Sequence, residues 1–267
     1  MLIDSHAHTH FSDYKDDIDE VLANAKEKGV NKIITVGTNA QDSVRAINFI
    51  KNLEFDKIEV FCSIGLHPHD AKKGENELIK ISNLINQGQA FNLGPRPGLD
   101  KIVAIGECGL DYYRNLSSKE DQERAFRYQI ELALEHNLPI IFHVRDAWRD
   151  FFRIITDYKE ITGVIHSFSA TPKEVEKTLE YDLYFGLNGI MTFTKDKNQL
   201  EAAKLIPNEK LLLETDCPFL SPAPNRGKRN EPANVRIIAE FLADLRNQSF
   251  DELANRTSQN ANKLFNI

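Results

Sequence analysis

Short apolar runs rich in β-branched residues alternate along this chain with longer amphipathic stretches. The runs cover residues 2–6, 32–37, 60–65, 102–107, 140–143, 163–166, 183–187 and 211–215. Their near-continuous hydrophobicity predicts parallel strands covered on both faces. The stretches between them carry helical periodicity. Phe126, Ile130, Ala133 and Leu134 fall on one stripe, and Ser117 with Glu120 predicts a capping box at its start. Phe250, Leu253, Ala254, Thr257, Ala261 and Leu264 share one face of a last helix. Eight strands alternating with helices predict an α/β fold, a (β/α)8 TIM barrel, with one domain over residues 1–267. A doubly wound open sheet is the competing architecture, but no glycine-rich dinucleotide turn follows the first strand. Residues 88–100 break the rhythm with two prolines and three glycines. They predict an irregular loop entering the fourth strand, on the face of the barrel away from the chemistry.

The polar residues that end these runs are not ordinary. His6 and His8 close the first, Glu107 the fourth, His143 the fifth and His166 the sixth, and Asp216 follows the eighth. In a barrel of this kind the strand C-termini converge on one mouth, where chemistry is done. Positions i and i+2 of a strand face the same way, so His6 and His8 both face inward. A single histidine is more often a hydrogen-bonded core or surface residue. Four at strand ends, with two carboxylates, predict a metal site for two divalent ions. Glu107, with two carboxylate oxygens, is the expected bridge. The first ion takes His6, His8 and Asp216, and the second takes His143 and His166. Imidazole-rich ligation favours zinc or manganese over magnesium.

Composition narrows the function further. The formal net charge is −7 over 267 residues, with a pI near 5.7. A protein that grips nucleic acid through a broad basic surface looks different, so any nucleic acid must be held locally. Two divalent ions on this ligand set would leave the centre net positive inside an acidic protein, which suits a phosphodiester. Cys62, Cys108 and Cys217 form no metal or disulfide spacing and are expected to be reduced, small buried residues. The chain shows no leader pattern and no long apolar run, and a cytoplasmic protein with no membrane partner is expected. No obligate protein partner is evident in it.

Several motifs together carry a family resemblance. They are Asp4-Ser5-His6-Ala7-His8, Gly65-Leu66-His67-Pro68-His69, and the run from Ala104-Ile105-Gly106-Glu107 through Cys108-Gly109-Leu110-Asp111-Tyr112-Tyr113. His143-Val144-Arg145-Asp146-Ala147, His166-Ser167-Phe168-Ser169, Leu213-Glu214-Thr215-Asp216-Cys217-Pro218 and Arg226-Gly227-Lys228-Arg229-Asn230-Glu231-Pro232 complete the set. In this order they resemble the TatD family of metal-dependent deoxyribonucleases, in the amidohydrolase-like barrel superfamily. The resemblance spans nearly the whole chain. It implies a hydrolase acting on DNA, trimming ends from 3′ to 5′, with magnesium also able to serve. Ala170, Thr9 and His10 depart from the family pattern, and residues 88–100 form a longer insertion than it has. None of these removes a proposed ligand.

The expected activity is therefore hydrolysis of phosphodiester bonds in single-stranded DNA ends. Asp216 is the expected proton acceptor, and Glu107 acts beside it. His67 follows the third strand and is expected to touch substrate or support a ligand. Tyr112 and Tyr113 are candidates to stack on bases, and Arg114 and Arg145 to meet phosphates. Arg226, Lys228, Arg229 and Asn230 follow the eighth strand on the mouth side and complete the expected substrate contacts. The alternative from another class is a small-molecule hydrolase cleaving an ester, lactone or amide on the same barrel. The basic segment and the aromatic pair weigh against it.

Overall fold

The computed structural model describes residues 1–53, 58–89 and 101–267, with only the backbone described at 86–89. Most of the irregular stretch at 88–100 lies outside these. The eight strands form one sheet in chain order: β1 (Leu2–Ala7), β2 (Val30–Val36), β3 (Glu59–Ile64), β4 (Ile102–Asp111), β5 (Ile140–Arg145), β6 (Thr162–Ile165), β7 (Asp182–Leu187) and β8 (Leu211–Leu213). The helices between them are α1 (Ile18–Glu27), α2 (Ala40–Lys51), α3 (Glu75–Gln89), α4 (Lys119–Glu135), α5 (Trp148–Ile155), α6 (Pro172–Thr178) and α7 (Lys197–Leu205). Two more, α8 (Val235–Leu245) and α9 (Phe250–Phe265), follow β8. This is the α/β barrel architecture that the alternating pattern predicts. No described helix is long and apolar enough to cross a membrane.

The described residues divide into two compact units, one of residues 1–35, 58–60 and 166–267, the other of residues 36–53, 61–89 and 101–165. In the first, β1 pairs in parallel with β2, and β7 with β8. Strand β1 also meets the β8 segment: the Ser5 hydroxyl donates to the Leu213 carbonyl at 2.9 Å. The long helix α9 covers β1 and β8. Its buried stripe includes Leu253, Ala254, Thr257, Ala261 and Leu264, as its period predicts. Phe250 instead sits at the helix start under the Arg236 guanidinium, 4.6 Å from its ring. A capping box of Ser249 and Glu252 starts α9 by satisfying backbone N–H groups that have no partner within the helix.

In the second unit β3 pairs with β4, β4 with β5 and β5 with β6, all in parallel. Phe126, Ile130 and Ala133 of α4 are buried as expected. The cap of α4 is not where the sequence suggests. Ser118 caps it, accepting from the Asp121 N–H at 3.1 Å. The Ser117 hydroxyl is used elsewhere, donating to the His69 carbonyl and accepting from the Lys72 N–H.

Two strand ends also differ from expectation, and both differences place chemistry. Strand β4 continues past Glu107 to Asp111, with a register shift between Ile105 and Cys108. Gly106 makes that shift possible. Its φ is +140°, and a Cβ there would lie 2.6 Å from the Ile141 carbonyl oxygen. Strand β8 stops at Leu213, so Asp216 stands on the following loop with φ +56°.

Candidate metal centre

In the first unit the end of β1 is tied to the loop after β8. The Asp216 N–H donates to the His6 carbonyl at 2.9 Å, and the His8 N–H donates to the Cys217 carbonyl at 2.8 Å. Asp4, fully buried, reinforces the junction by accepting from the Thr215 N–H at 2.9 Å and its hydroxyl at 2.6 Å. Burial pushes the Asp4 carboxyl up to about 8 in spite of these bonds. Held this way, Asp216 Oδ1 lies 3.6 Å from His6 Nε2, 3.5 Å from His8 Nε2 and 3.9 Å from His166 Nε2. The His6 and His166 rings stack at 3.5 Å, and His8 meets His6 edge-on. Burial alone would raise Asp216, but the imidazoles of His166, His8 and His6 hold it below the usual carboxylate range. Behind His166, Glu214 Oε1 stands 2.9 Å from Nδ1 and accepts from the Ser167 N–H at 2.7 Å. A carboxylate on that side leaves Nε2 as the nitrogen facing Asp216.

The second unit builds a separate group around Glu107. His143 Nδ1 lies 2.6 Å from Glu107 Oε1, and His67 Nε2 lies 3.5 Å from the same oxygen. His143 Nε2 is 3.1 Å from Asp111 Oδ2, and His69 Nε2 is 2.9 Å from that oxygen. Burial opposes ionisation of Asp111, but hydrogen bonds from His143, the Arg114 N–H and His69 keep it well below the usual carboxylate range. His67 differs from His143. Its Nδ1 accepts from the His69 N–H at 3.1 Å, so the neutral ring carries its proton on Nε2. Burial pushes His67 down to about 4. It is therefore a neutral donor aimed at Glu107, suited to the substrate or supporting role expected of it.

Both groups fit a divalent cation. In one, donor atoms of His6, His8 and Asp216 all lie within 4.8 Å of one another; in the other His67, Glu107 and His143 lie as close, but His67 carries its proton on Nε2, so Glu107 and His143 are the ligands that group offers. Imidazoles with a carboxylate are a common ligand set for catalytic zinc and related ions. The His143–Glu107 contact makes the same point locally. With Nε2–H given to Asp111, Nδ1 and the Glu107 oxygen are both acceptors, and a proton or a cation must lie between them.

The expected substrate residues fall into two classes. Arg226 and Lys228 are exposed on the loop after β8. The Arg226 guanidinium lies 3.8 Å over the Phe193 ring, with Nη1 donating to the Ser221 carbonyl. Tyr113 is exposed with Arg145 4.0 Å over its ring, and Arg114 is exposed beside them. Tyr112 is more committed, donating to Asp150 at 3.0 Å under the Lys119 ammonium. Asn230 corrects the sequence reading. It is fully buried, and its amide donates to the Thr215 and Phe219 carbonyls, so it is a latch for the loop. Arg229 is also occupied. It pairs with both oxygens of Asp17, reaches Glu231 and the Asp13 carbonyl, and covers the Tyr14 ring at 4.7 Å. Sequence reasoning passed over Asp111 and Glu214, though both stand in motifs it quoted. A carboxylate on a strand that ends among histidines was the available signal.

Buried imidazoles and carboxylates at the strand ends of a (β/α)8 barrel define a class, the metal-dependent hydrolases. Within it the chain belongs to the TatD family: the family model described as TatD related DNase matches residues 3–266. A metal-dependent hydrolase of Bacillus subtilis, YabD, is 39% identical over 270 residues, covering all of both chains. The 3'-5' ssDNA/RNA exonuclease TatD of Citrobacter rodentium is 36% identical over 264 residues, 96% of this chain and 94% of that one. Among solved structures, the TatD homologue YjjV of Escherichia coli superposes with a TM-score of 0.88 at 27% identity, covering 100% of this chain and 98% of that one.

Proposed function

We propose that this metal-dependent hydrolase is a deoxyribonuclease that shortens single-stranded DNA from its 3′ end. The observation that carries the reading is the group of buried His6 and His8 with part-buried Asp216, beside a loop that exposes Arg226 and Lys228. The relative named as a single-stranded DNA and RNA exonuclease supports it. A local basic loop is how an acidic protein would hold a polyanion.

The reading includes two divalent ions, zinc, manganese or magnesium. His6, His8 and Asp216 would hold one ion, Glu107 and His143 would serve another, and His166 is a further expected ligand. When bound, such ions supply Lewis acidity and an activated water near neutral pH. The chain does the rest. Asp216 accepts the proton released as water attacks phosphorus, His67 supports Glu107 with its Nε2–H, and Arg226 and Lys228 hold the strand. Tyr113, Arg114 and Arg145 form the corresponding strand contacts of the second unit. The cytoplasmic setting expected from the sequence belongs to the same reading.

The test is hydrolysis of end-labelled single strands by protein stripped with a chelator and reloaded with each metal. Loss of a 3′ label ahead of a 5′ label, restored by metal, is expected. Internal cuts on closed circles at the rate seen on linear ends would overturn the end-trimming reading. No DNA hydrolysis by metal-loaded protein would overturn the nuclease reading itself.

A further inference from the structure

Phe219 stands three residues past Asp216 and is 52% exposed. An aromatic ring left half in water forgoes hydrophobic stabilisation, and a free loop would turn it inward. This loop is not free. The Phe219 N–H donates to the Asp216 carbonyl at 2.9 Å, and its own carbonyl accepts from Asn230 Nδ2 at 2.6 Å. The ring meets His8 edge-on with centroids 6.1 Å apart and Phe11 edge-on at 6.4 Å. Phe11 in turn stacks on His8 at 4.7 Å. A fixed apolar face is thus held out beside a candidate metal ligand.

We propose that Phe219 is the stacking platform for a nucleobase next to the scissile phosphate, and so a residue that selects base-bearing single strands. The inference rests on the nuclease reading above. A phosphate drawn to the group of His6, His8 and Asp216 carries its sugar and base outward, toward the rim that Phe219 occupies. Every base has a π-face, so the platform tolerates any sequence. A base can lie on Phe219 only after leaving its neighbours in the strand. That requirement favours single-stranded ends over intact duplex, where unstacking and unpairing are costly. Arg226, on the same loop as Phe219 and 3.8 Å over the Phe193 ring, keeps its remaining donors for a neighbouring phosphate.

The test compares metal-loaded wild type with Phe219→Ala, Phe219→Leu and Phe219→Trp on two oligonucleotides. One is an ordinary single strand, and the other lacks the bases of its last two nucleotides. The alanine and leucine variants are expected to lose about ten-fold in kcat/KM on the ordinary strand. On the abasic strand they should match wild type within about two-fold, and tryptophan should restore the ordinary activity. Leucine keeps the apolar contacts with Phe11, so its failure would isolate the π-face. A second readout is the emission of a terminal 2-aminopurine in a phosphorothioate-protected strand, expected to rise with phenylalanine as the base leaves its neighbours, and not with alanine. Equal losses on both strands, or none, would overturn the platform while leaving the nuclease standing. If wild type with bound metal cuts neither strand, the nuclease reading and the platform fall together.

Discussion

Asp111 fixes which nitrogen of His143 meets Glu107. The carboxylate oxygen lies 3.1 Å from His143 Nε2, leaving Nδ1 toward Glu107 at 2.6 Å. A carboxylate behind a ligating histidine sets its tautomer and raises its basicity. Asp111→Asn keeps the shape but weakens that hold, because one amide oxygen must serve His143, His69 and the Arg114 N–H. We expect metal affinity to fall by about 10- to 100-fold. Competition against a metal-sensitive dye would measure it. Unchanged affinity would remove Asp111 from the metal centre.

The two arginines of the loop after β8 should separate. Arg226 is exposed with donors to spare, whereas Arg229 is spent on Asp17, Glu231 and the Asp13 carbonyl. Arg226→Ala should weaken single-stranded DNA binding and lower its salt slope by about 0.7, the share of one phosphate contact. Arg229→Ala should leave that slope in place and lower the melting temperature slightly, as should Asp17→Asn. Binding titrations across salt concentrations, beside thermal melts, distinguish the two. A salt slope that falls with Arg229→Ala and not with Arg226→Ala would reverse the assignment.

The metal-free protein should lose stability as pH falls through the histidine range. His67 is pushed down to about 4 by burial, against 6.5 for an ordinary histidine. Between those values the unfolded chain holds the proton and the folded chain refuses it, so acid favours unfolding. Protonation would also break the bond that Nδ1 accepts from the His69 N–H. The contribution is complete above pH 6.5, falls by at most about 1.4 kcal/mol per pH unit below it, and levels off near pH 4. Urea melts of the chelated protein, compared with His67→Gln, isolate it. Parallel pH profiles for the two proteins would reject this account.

The strands were legible because each is a compact apolar run, and five of the eight lead into a histidine or carboxylate that no buried strand tolerates without a partner. Their ends were less so. Glu107 reads as a strand end because the apolar run stops there, but β4 continues to Asp111 through a register shift that Gly106 allows. The cap of α4 was misplaced by one residue because Ser117 and Ser118 offer the same hydroxyl, and only the loop carrying His69 decides between them. The grouping of His6, His8 and Asp216 followed from strand topology. Tautomers did not, since they depend on backbone N–H groups and carboxylates that approach from other segments. The same limit explains Arg229 and Asn230: a basic, polar loop gives no sign of which side chains it consumes in holding itself together.

Asp216 gives the sharpest prediction. It sits between three imidazoles, held below the usual carboxylate range despite its burial. Asp216→Asn retains the shape and one oxygen, and the backbone bond from its N–H to the His6 carbonyl remains available, so the fold should survive. What is lost is a negative charge that would help hold a cation and an oxygen able to take a proton. With metal in excess, turnover should fall by about 100-fold or more, the scale of a lost general base. Single-stranded DNA affinity should persist, because Arg226 and Lys228 are untouched. Turnover at saturating metal, measured beside DNA affinity, is the test. Near-normal turnover once metal saturates would leave Asp216 a ligand alone and end its role as proton acceptor.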